Sequence, residues 1–457
     1  MGFWTTRRIF AASRRTCPRT SRATVSTCPM RPRMPRTSGG CASGQRPPAS
    51  QSSRGVDPQS GRPRMEHLAY GDVEAWDPQT QIPASVRPTL DVWMRDPQVC
   101  VGRDGWYYLT GTTRPPRKPP GGPQCWGDGI RLWRSRDLRS WEPLGLVWSL
   151  DRDATWQRHF RVYWPHGARI VAPEDFHANP PPPDVAVHRG LWAPELHYLR
   201  SRDTYALVAS VSYNMGIPES QRIPGDIFGG TFLLLSASGE PTGPWEEPAA
   251  APLTDLIDPC LFEDDDGAVY LLVLNSFLFR LRDDLRGLSE PPERLRELRC
   301  SPDGSQVVRY ASVWDVPRLE QTPYDPEPMS EGGFLFKSHG RYHLCLSMRP
   351  RVDGAVATYR HREPLGPQNR GPYNVVVASA EHIRGPYGPR YTALTHGGHG
   401  NFFADREGRW WACVFCPPCE DLPAKPAFCC QPALVPMKWE DCRIMPDGQR
   451  TQEAGTP

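Results

Sequence analysis

The sequence of 457 residues predicts an all-β protein built around one five-bladed β-propeller. Three observations carry this prediction. The chain has 53 Pro, 40 Gly and 16 Trp and few long stretches rich in Ala, Leu, Glu and Lys, which argues against helical bundles, coiled coils and helical solenoids. Five segments repeat one design, and each indicates a pair of antiparallel strands. The hydrophobic fraction of 38% is enough for one large core.

The repeat consists of a polar ionisable residue, a short apolar stretch, a turn and an aromatic-rich strand. The five copies are, in chain order, Asp96 in RDPQVCVGRDGWYYLTGT, Glu195 in APELHYLRSRDTYALVAS, Asp258 in IDPCLFEDDDGAVYLLVL, Glu331 in SEGGFLFKSHGRYHLCLS and His399 in GHGNFFADREGRWWACVF. Nine positions after these residues lie the predicted turn residues Gly105, Thr204, Gly267, Gly340 and Gly408. Because a hairpin turn needs positive φ, glycine between two apolar runs indicates a hairpin in four of the copies.

The segments between the copies supply the outer strands of the blades. Spacings of 99, 63, 73 and 68 residues separate successive copies, and this length suits about four strands per blade. Three intervening segments run from an apolar strand through Ser135, Ser236 or Ser379 to a turn and an aromatic residue. The long first spacing predicts a loop at 151–188, because its run of four prolines cannot lie in a central strand.

The five ionisable side chains are expected to converge on one pocket, because equivalent positions of the innermost strands point towards one end of a propeller's axis. Clustered carboxylates cannot all ionise at their ordinary pKa values, so one can act as an acid while another stays a base. Glycoside hydrolysis needs such a pair. Tryptophans near these segments offer flat faces for a sugar ring, although each one also fits a core position: Trp93, Trp106, Trp126, Trp148 and Trp192. A purely structural axial network is the alternative interpretation.

At these residues the chain resembles glycoside hydrolase family 43, the five-bladed β-propeller glycosidases that act on xylans, arabinans and related side chains. The resemblance covers roughly residues 88 to 445 and follows the motifs RDPQV, LWAPELHY, IDPCLFEDDDG, SEGGFLFKSHGRYH and GHGNFFADREGRWW in order, with QPALVPMKWED closing the domain. It implies a catalytic propeller over residues 85–445 and an inverting mechanism with three carboxylates.

The resemblance also implies a role for each carboxylate. Asp96 matches the general base that activates water, Glu331 matches the general acid, and Asp258 matches the carboxylate that modulates the pKa of the acid and holds it in place. Base and acid should lie about 6.5 to 9.5 Å apart, which leaves room for the water.

Three further residues are candidates for binding roles. Trp192 matches a substrate-pocket residue of the family's Trp-Ala-Pro motif. Glu195 has no catalytic role in the family and is a candidate either for contact with the substrate or for support of a residue that contacts it. His399 matches an axial histidine that in many members reaches a calcium ion through the central channel. Calcium is expected on that likeness alone, and no other cofactor is expected.

The chain departs from the family pattern beside the acid. Members commonly have Glu-Gly-Pro there, whereas this chain has Glu331-Gly332-Gly333. Glycine in place of proline should loosen the backbone next to the acid. The arginine that usually supports the modulating aspartate has no clear match, and Arg349 is the candidate.

The sequence therefore predicts an inverting glycoside hydrolase that releases α-L-arabinofuranose or β-D-xylose from plant-type oligosaccharides. The alternative is a catalytically impaired sugar-binding propeller, which Gly333 favours and the three carboxylates oppose. A protein-interaction propeller would carry GH…WD repeats of about 40 residues, and the sequence lacks them. Within the enzymes, the near alternative is a related propeller that cleaves sucrose or agar oligosaccharides. The residue at the position of the general acid distinguishes the two classes, and Glu331 favours family 43.

The N-terminal part has another composition. Residues 1–64 carry 13 Arg, no Lys and the single acid Asp57, and apolar residues are too sparse for a core, so we expect disorder. Residues 65–457 have 41 basic and 50 acidic side chains, a net charge of −9. This acidic balance does not favour binding to nucleic acid, which requires a clustered basic surface. The 14 Cys lack the spacing of a disulfide framework.

The sequence has no long apolar segment, and this bears on membrane insertion and on cellular location. A mean hydropathy of −0.56 and the absence of an apolar run of about 18 residues exclude a membrane-spanning chain. With no apolar segment of the kind a secretory signal needs, a cytoplasmic location is expected. The oligomeric state is not predicted.

Overall fold

The structure is a computed structural model that describes residues 78–450, apart from internal gaps. The gaps are 114–123, 160–161, 165–185, 213–228, 250–251, 255, 276, 290–294, 300–306, 312–329, 354–355, 360–367, 386, 389 and 417–429. The N-terminal extension predicted at residues 1–64 and most of the predicted loop at 151–188 lie outside the described residues. Across the part of the chain that is described, no helix combines the length and the hydropathy needed to cross a bilayer.

Strands account for most of the described secondary structure. They are β1 (Met94–Val101), β2 (Tyr107–Thr113), β3 (Gln124–Trp126), β4 (Gly129–Ser135), β5 (Glu142–Ser149), β6 (Val162–Trp164), β7 (Ala186–Leu199), β8 (Thr204–Ser212), β9 (Gly229–Ser236), β10 (Trp245–Glu246), β11 (Cys260–Glu263), β12 (Val269–Val273), β13 (Phe277–Arg280), β14 (Leu295–Arg299), β15 (Val307–Ala311), β16 (Ser330–Ser338), β17 (Arg341–Met348), β18 (Arg351–Asp353), β19 (Val356–Thr358), β20 (Asn374–Ala380), β21 (Tyr391–Leu394), β22 (Asn401–Ala404), β23 (Trp410–Cys416), β24 (Gln431–Glu440) and β25 (Arg443–Pro446). Short 3₁₀ helices occupy Pro78–Thr80, Trp156–His159 and Arg200–Arg202.

The sheets form the five predicted blades. Blade 1 has the order β1-β2-β4-β5, blade 2 the order β7-β8-β9-β10, blade 3 the order β11-β12-β13, blade 4 the order β16-β17-β20-β21 and blade 5 the order β22-β23-β24-β25. Within each blade, neighbouring strands are antiparallel. The strands β3 and β6 pair with β7 at its start, and β14-β15 and β18-β19 are separate hairpins. The prediction of an all-β five-bladed propeller is confirmed.

Two amide side chains join the innermost strands of neighbouring blades. Gln98 on β1 donates from Nε2 to the carbonyl of Leu196 on β7 at 3.0 Å and accepts from the Leu196 N–H at 3.2 Å. Asn401 on β22 accepts from the Val99 N–H at 3.0 Å and donates to the Val99 carbonyl at 3.0 Å. Because β1 and β22 belong to the first and last blades, the second pair closes the ring.

The core lies between the faces of adjacent blades, where the apolar side of one sheet covers that of the next. Ile130 and Leu132 of blade 1 pack with Leu207 and Phe232 of blade 2. Trp148 belongs to the same cluster, with its ring 5.1 Å from that of Phe232 and only 2% of its surface exposed. Of the five tryptophans considered as sugar platforms, Trp148 is therefore a core residue.

Four of the five predicted hairpin turns are in place. Gly105, Gly267, Gly340 and Gly408 all have positive φ. In blade 2 the prediction of Thr204 is wrong, because the 3₁₀ helix Arg200–Arg202 precedes the turn and Asp203, at φ 49°, is the left-handed residue. Thr204 instead begins β8.

The innermost strands carry a bulge that corrects the predicted register. In β1, β7 and β16 the pairing slips at corresponding places, and the residues with positive φ there are Asp96, Ala193 and Gly332. Glu331 therefore lies one residue before the position equivalent to Asp96, and Glu195 lies two residues after it. The five ionisable residues are therefore not at equivalent positions, because the distance from the positive-φ residue to the hairpin turn varies: nine residues in blades 1 and 3, ten in blades 2 and 5, and eight in blade 4.

Candidate active site

Four of the five predicted axial residues meet at one end of the propeller. Asp96 Oδ1 lies 3.3 Å from His399 Nδ1, and the carboxylates of Asp258 and Glu331 are close enough to raise the pKa of the same imidazole. Asp258 and His399 are buried, while Asp96 and Glu331 are half-buried. The expectation that all five converge is wrong for Glu195, which contacts His197 instead.

Asp96 is held in its ionised form. It occupies the bulge of β1 at φ 51°, and Thr112 donates its hydroxyl to Asp96 Oδ2 at 2.7 Å. Burial works against ionisation, but His399, Arg95 and the Thr112 hydroxyl together hold the pKa of Asp96 below its usual value. An ionised carboxylate in this position can accept a proton from water.

Asp258 has the opposite tendency. Burial raises its pKa to about 7, and the neighbouring carboxylates of Glu331 and Asp96 add to this rise against the lowering effect of His399. The N–H of Gly332 donates to Asp258 Oδ2 at 3.1 Å. The side chain therefore links the segment just before β11 to the backbone of β16, directly beside Glu331.

Glu331 is oriented by a tyrosine that the sequence analysis missed. Tyr373, immediately before β20, donates its hydroxyl to Glu331 Oε1 in a short hydrogen bond. Burial raises the pKa of Tyr373 well above its usual value, so the phenol remains a donor. Arg349 lies over the Tyr373 ring at 4.6 Å and donates to the Gly371 carbonyl at 3.2 Å. Arg349 thus supports Tyr373, the residue that orients Glu331. It is not among the groups that shift the pKa of Asp258, which are His399, Glu331, Asp96 and the Gly332 N–H.

The two glycines after the acid are constrained by their neighbours. Gly332 has φ 61°, and a Cβ at this position would lie 2.6 Å from the His399 ring. The N–H of Gly333 donates to the Leu274 carbonyl at 2.8 Å, a hydrogen bond that proline could not make. The expected loosening is therefore offset, since the residue that replaces the family's proline ties β16 to blade 3.

His399 offers little to a directly bound metal ion. Although burial disfavours the charged ring, the carboxylates of Asp96, Asp258 and Glu331 raise the pKa of His399 to about 9. A protonated imidazole has no free electron pair for a metal, and Nδ1 already faces Asp96. Calcium prefers six to eight oxygen ligands, so the ring does not fit as a direct ligand and an ion would have to be held through water.

Trp192 and Glu195 lie on opposite sides of the bulge in β7. The Trp192 ring is partly buried, and its Nε1 has no hydrogen-bond partner among the described residues. Glu195 is 5% exposed, with Oε2 2.8 Å from His197 Nε2. The Trp192 Nε1 is buried, next to the backbone of Gly190, and the carboxylate of Glu195 is already engaged by His197.

Thr112 is the second residue that sequence reasoning missed. Its hydroxyl donates to Asp96 and accepts from the Ala193 N–H at 2.8 Å, so it connects blade 1 to the bulge of blade 2. Thr112 ends the first repeat segment, on β2, and Tyr373 lies outside the repeat segments, just before β20. A pattern along the chain cannot show which hydroxyl reaches across to a carboxylate.

The site combines an ionised carboxylate, a carboxyl group with a raised pKa, a protonated imidazole and a glutamate oriented by a phenol. Such a set can take a proton from water on one side of a bound molecule and deliver a proton on the other. This is the chemistry that hydrolysis of a glycosidic bond requires.

The family's sequence model, Glycosyl hydrolases family 43, matches residues 85–441. The chain belongs to this family. The resemblance inferred from the motifs is thereby confirmed, and the chain carries the glycosidase domain of the family.

Two curated relatives show how far the similarity extends. The chain is 25% identical over 328 residues to an Escherichia coli (strain K12) protein provisionally named a beta-xylosidase, covering 71% of this chain and 48% of the relative. It is 27% identical over 157 residues to the arabinoxylan arabinofuranohydrolase of Bacillus subtilis (strain 168), covering 30% of this chain and 28% of the relative. The chain thus spans about half the length of the first and less of the second.

Solved structures of similar fold include enzymes of the same family. The family 43 protein BlXynB from Bacillus licheniformis is 19% identical with a TM-score of 0.47, covering 79% of this chain and 56% of that one. The α-L-arabinofuranosidase CtGH43 from Clostridium thermocellum ATCC 27405 is 14% identical with a TM-score of 0.45, covering 78% of this chain and 95% of that one.

Proposed function

We propose that this protein is an inverting glycoside hydrolase that releases α-L-arabinofuranose or β-D-xylose from plant-type oligosaccharides. The observation that carries the proposal is the group of Asp96, Asp258, Glu331 and His399, in which Asp96 is stabilised as an anion while Glu331 is held by a separate donor. Different surroundings separate the pKa values of two carboxyl groups, so that one can act as an acid and the other as a base in the same pocket.

Asp96 is the general base in this proposal. It removes a proton from a water molecule, whose oxygen then attacks the anomeric carbon from the face opposite to the leaving group. His399 and Thr112 keep the carboxylate charged before the reaction. The new carbon–oxygen bond therefore forms with inversion of configuration.

Glu331 is the general acid. Its proton passes to the oxygen of the leaving group as the glycosidic bond breaks. The Tyr373 hydroxyl fixes the orientation of the carboxyl group, and Asp258, tied to the N–H of Gly332, holds the backbone beside it. Both residues act by positioning Glu331.

The choice of a pentose rests on the relatives, whose names refer to xylosidase and arabinofuranohydrolase activities. Glu195 as a substrate contact, calcium held at His399 through water and a cytoplasmic location stay predictions, and the mechanism above depends on none of them.

The test is hydrolysis of 4-nitrophenyl α-L-arabinofuranoside and 4-nitrophenyl β-D-xyloside by the full chain. We expect release from one or both, and a loss of kcat of about 1,000-fold or more in Glu331→Ala and Asp96→Ala. Matched controls are Glu381→Ala and Asp283→Ala, whose carboxylates are exposed on the surface and pair with Arg341 and Arg280. NMR of the first-formed sugar reports the anomer, which should be inverted.

Two results would contradict the proposal. A retained anomer would exclude the inverting mechanism. A folded wild-type chain that releases no sugar yet binds pentose oligosaccharides would identify a sugar-binding propeller instead.

A further inference from the structure

Glu195, His197 and Cys260 form a compact group at the junction of blades 2 and 3. Glu195 and His197 are two residues apart on β7 and therefore share one face of the strand. Cys260 is the first residue of β11 in the next blade. One potential ligand atom from each side chain lies within 4.8 Å of the other two, and in the described part of the chain this is the only group of three or more such side chains that meets this criterion.

The group is buried and lacks a strong cation. Glu195 is 5% exposed and Cys260 is fully buried. Among the ion pairs of the described residues, Glu195 has one partner, His197, at 2.8 Å, and no Lys or Arg reaches it. A buried carboxylate without a compensating charge is unfavourable, so this position favours a bound cation.

The group has one open side. His197, whose side chain is 14% exposed, lines a cavity of about 580 Å³ together with Gln98, Leu196, Leu261 and Asn401. These residues come from the innermost strands, so the cavity lies on the axis of the propeller. Asp96, Asp258, Glu331 and His399 do not line it, so this cavity is separate from the candidate active site. Water in the cavity can therefore approach His197.

We propose that Glu195, His197 and Cys260 bind one Zn²⁺ ion, with a water molecule from the cavity as the fourth ligand. Thiolate, imidazole and carboxylate are the three ligand types that zinc takes in proteins, and three protein ligands with one open position is a common arrangement. Calcium is excluded by the sulfur and nitrogen ligands, because it prefers oxygen.

The geometry needs only a small adjustment. Tetrahedral zinc with bonds of about 2.0 to 2.3 Å places its ligand atoms roughly 3.3 to 3.7 Å apart, so the present 2.8 Å contact between Glu195 and His197 has to open by about half an ångström or more. On binding, the Cys260 thiol loses its proton to solvent and a zinc–sulfur bond forms. The neutral His197 ring keeps its one proton on Nδ1, so that the electron pair of Nε2 forms the zinc–nitrogen bond.

A zinc ion here would join two blades at the axis. It would tie β7 of blade 2 to β11 of blade 3. Cys260 follows Asp258 by two residues, so the ion would also fix the segment that carries one of the active-site carboxylates. This assigns Glu195 a role other than the predicted contact with substrate, and the site does not depend on the proposed glycosidase activity.

The test is titration of the metal-free full chain with Co²⁺, a spectroscopic substitute for Zn²⁺. We expect one tightly bound ion per chain with a thiolate-to-cobalt charge-transfer absorption, displaced by Zn²⁺. Cys260→Ser should abolish that absorption, and His197→Gln should weaken binding at least tenfold. Cys413→Ser is the matched control, since Cys413 is also fully buried on a strand but lies in blade 5, and its titration should equal that of the wild type.

The wild-type titration decides the proposal even where a variant fails to fold. A folded wild-type chain that shows no charge-transfer absorption would overturn it. An absorption that persists unchanged in folded Cys260→Ser would overturn it as well, because another cysteine would then be the ligand. Neither readout uses a sugar substrate, so failure of the zinc site and failure of the proposed hydrolase activity remain distinguishable.

Discussion

Asp96 and Asp258 are both aspartates with positive φ in the same site, yet their surroundings move their pKa values in opposite directions. Asp96 faces the protonated ring of His399 and accepts the Thr112 hydroxyl, which lowers its pKa. Burial and two neighbouring carboxylates raise the pKa of Asp258 to about 7. At neutral pH one aspartate is therefore a ready base, while the other retains its proton part of the time.

Tyr373→Phe tests the positioning of the acid. The substitution keeps the ring and removes only the hydroxyl that donates to Glu331. A hydrogen bond to a charged group contributes about 1.5 to 3 kcal/mol, so we expect kcat to fall by about ten- to 100-fold with little change in KM. Steady-state kinetics on the substrate found for the wild type measure this.

Tyr387→Phe is the matched control for that change. Tyr387 is also buried, but its hydroxyl donates to the Ile383 carbonyl, within the core of blade 4. Its kcat should equal that of the wild type. If both variants lose kcat equally, the loss reflects general destabilisation and Tyr373 has no special role in orienting Glu331.

At the scale of the strand, a bulge with positive φ places the functional side chains of β1, β7 and β16. A bulge redirects the side chains on either side of it. In β1 the residue at the bulge is itself the base, Asp96, whereas in β16 the acid Glu331 precedes the bulge residue Gly332. The same backbone feature therefore presents different residues in different blades.

Gly332→Ala tests the bulge of β16. A Cβ there would meet the His399 ring at 2.6 Å, and the φ of 61° is unfavourable for alanine by about 1 to 2 kcal/mol. The ring or the bulge beside it has to shift, and since a misplacement of about 1 Å can cost about 100-fold in rate, we expect kcat/KM to fall by about that factor. Kinetic measurement on folded protein gives the value.

The hairpin glycine of the same blade provides the comparison. Gly340 has φ 70°, but its Cβ would meet nothing within 4 Å. Gly340→Ala should cost about 1 to 2 kcal/mol in the free energy of unfolding and leave kcat/KM unchanged. Equal kinetic losses in both alanine variants would show that backbone strain, and not displacement of His399, governs activity.

At the scale of the whole molecule, the ring is closed by side chains that imitate backbone pairing. The Asn401 amide makes both hydrogen bonds with Val99 that a neighbouring strand would make, and the Gln98 amide does the same with Leu196. These contacts join blade 5 to blade 1 and blade 1 to blade 2. The position of each blade, and hence of each active-site residue, depends on the closed ring.

The buried carboxyl of Asp258 makes global stability depend on pH. Its pKa is about 7 in the folded chain and near 3.8 when unfolded, so between these values the folded state binds more protons than the unfolded state. The free energy of unfolding therefore decreases as the pH rises through this window. Asp258→Asn removes the titration, so its stability relative to the wild type should increase from about pH 4 to about pH 7.

Urea unfolding followed by circular dichroism at several pH values measures that difference. His399, with a pKa raised to about 9, stays protonated in the folded state across the window, so its contribution is similar in both proteins. Asp283→Asn, at a carboxylate with 90% of its side chain exposed, should show a difference from the wild type that does not vary with pH. A pH-independent difference for Asp258→Asn would contradict the assigned environment.

Much of the site could be predicted because its residues belong to short motifs in a repeated order. Asp96, Asp258, Glu331 and His399 were all identified from these motifs, and the structure brings them together. Glu195 followed the same pattern and was misplaced, because a bulge and a longer hairpin shift it two residues beyond the equivalent position. A fixed number of residues between the ionisable residue and the turn cannot reveal that one hairpin is longer than the others.

By itself the sequence determined the class of fold, the number of blades and the order of the acidic motifs, because turn glycines and alternating apolar runs act locally along the chain. The tertiary structure alone decided which donors reach these groups. Tyr373 at Glu331, Thr112 at Asp96 and the Gly333 N–H at Leu274 all join residues from different strands. Such contacts depend on how the strands pair and how the blades pack around the axis. The order of residues along the chain does not give the distances between side chains on different strands.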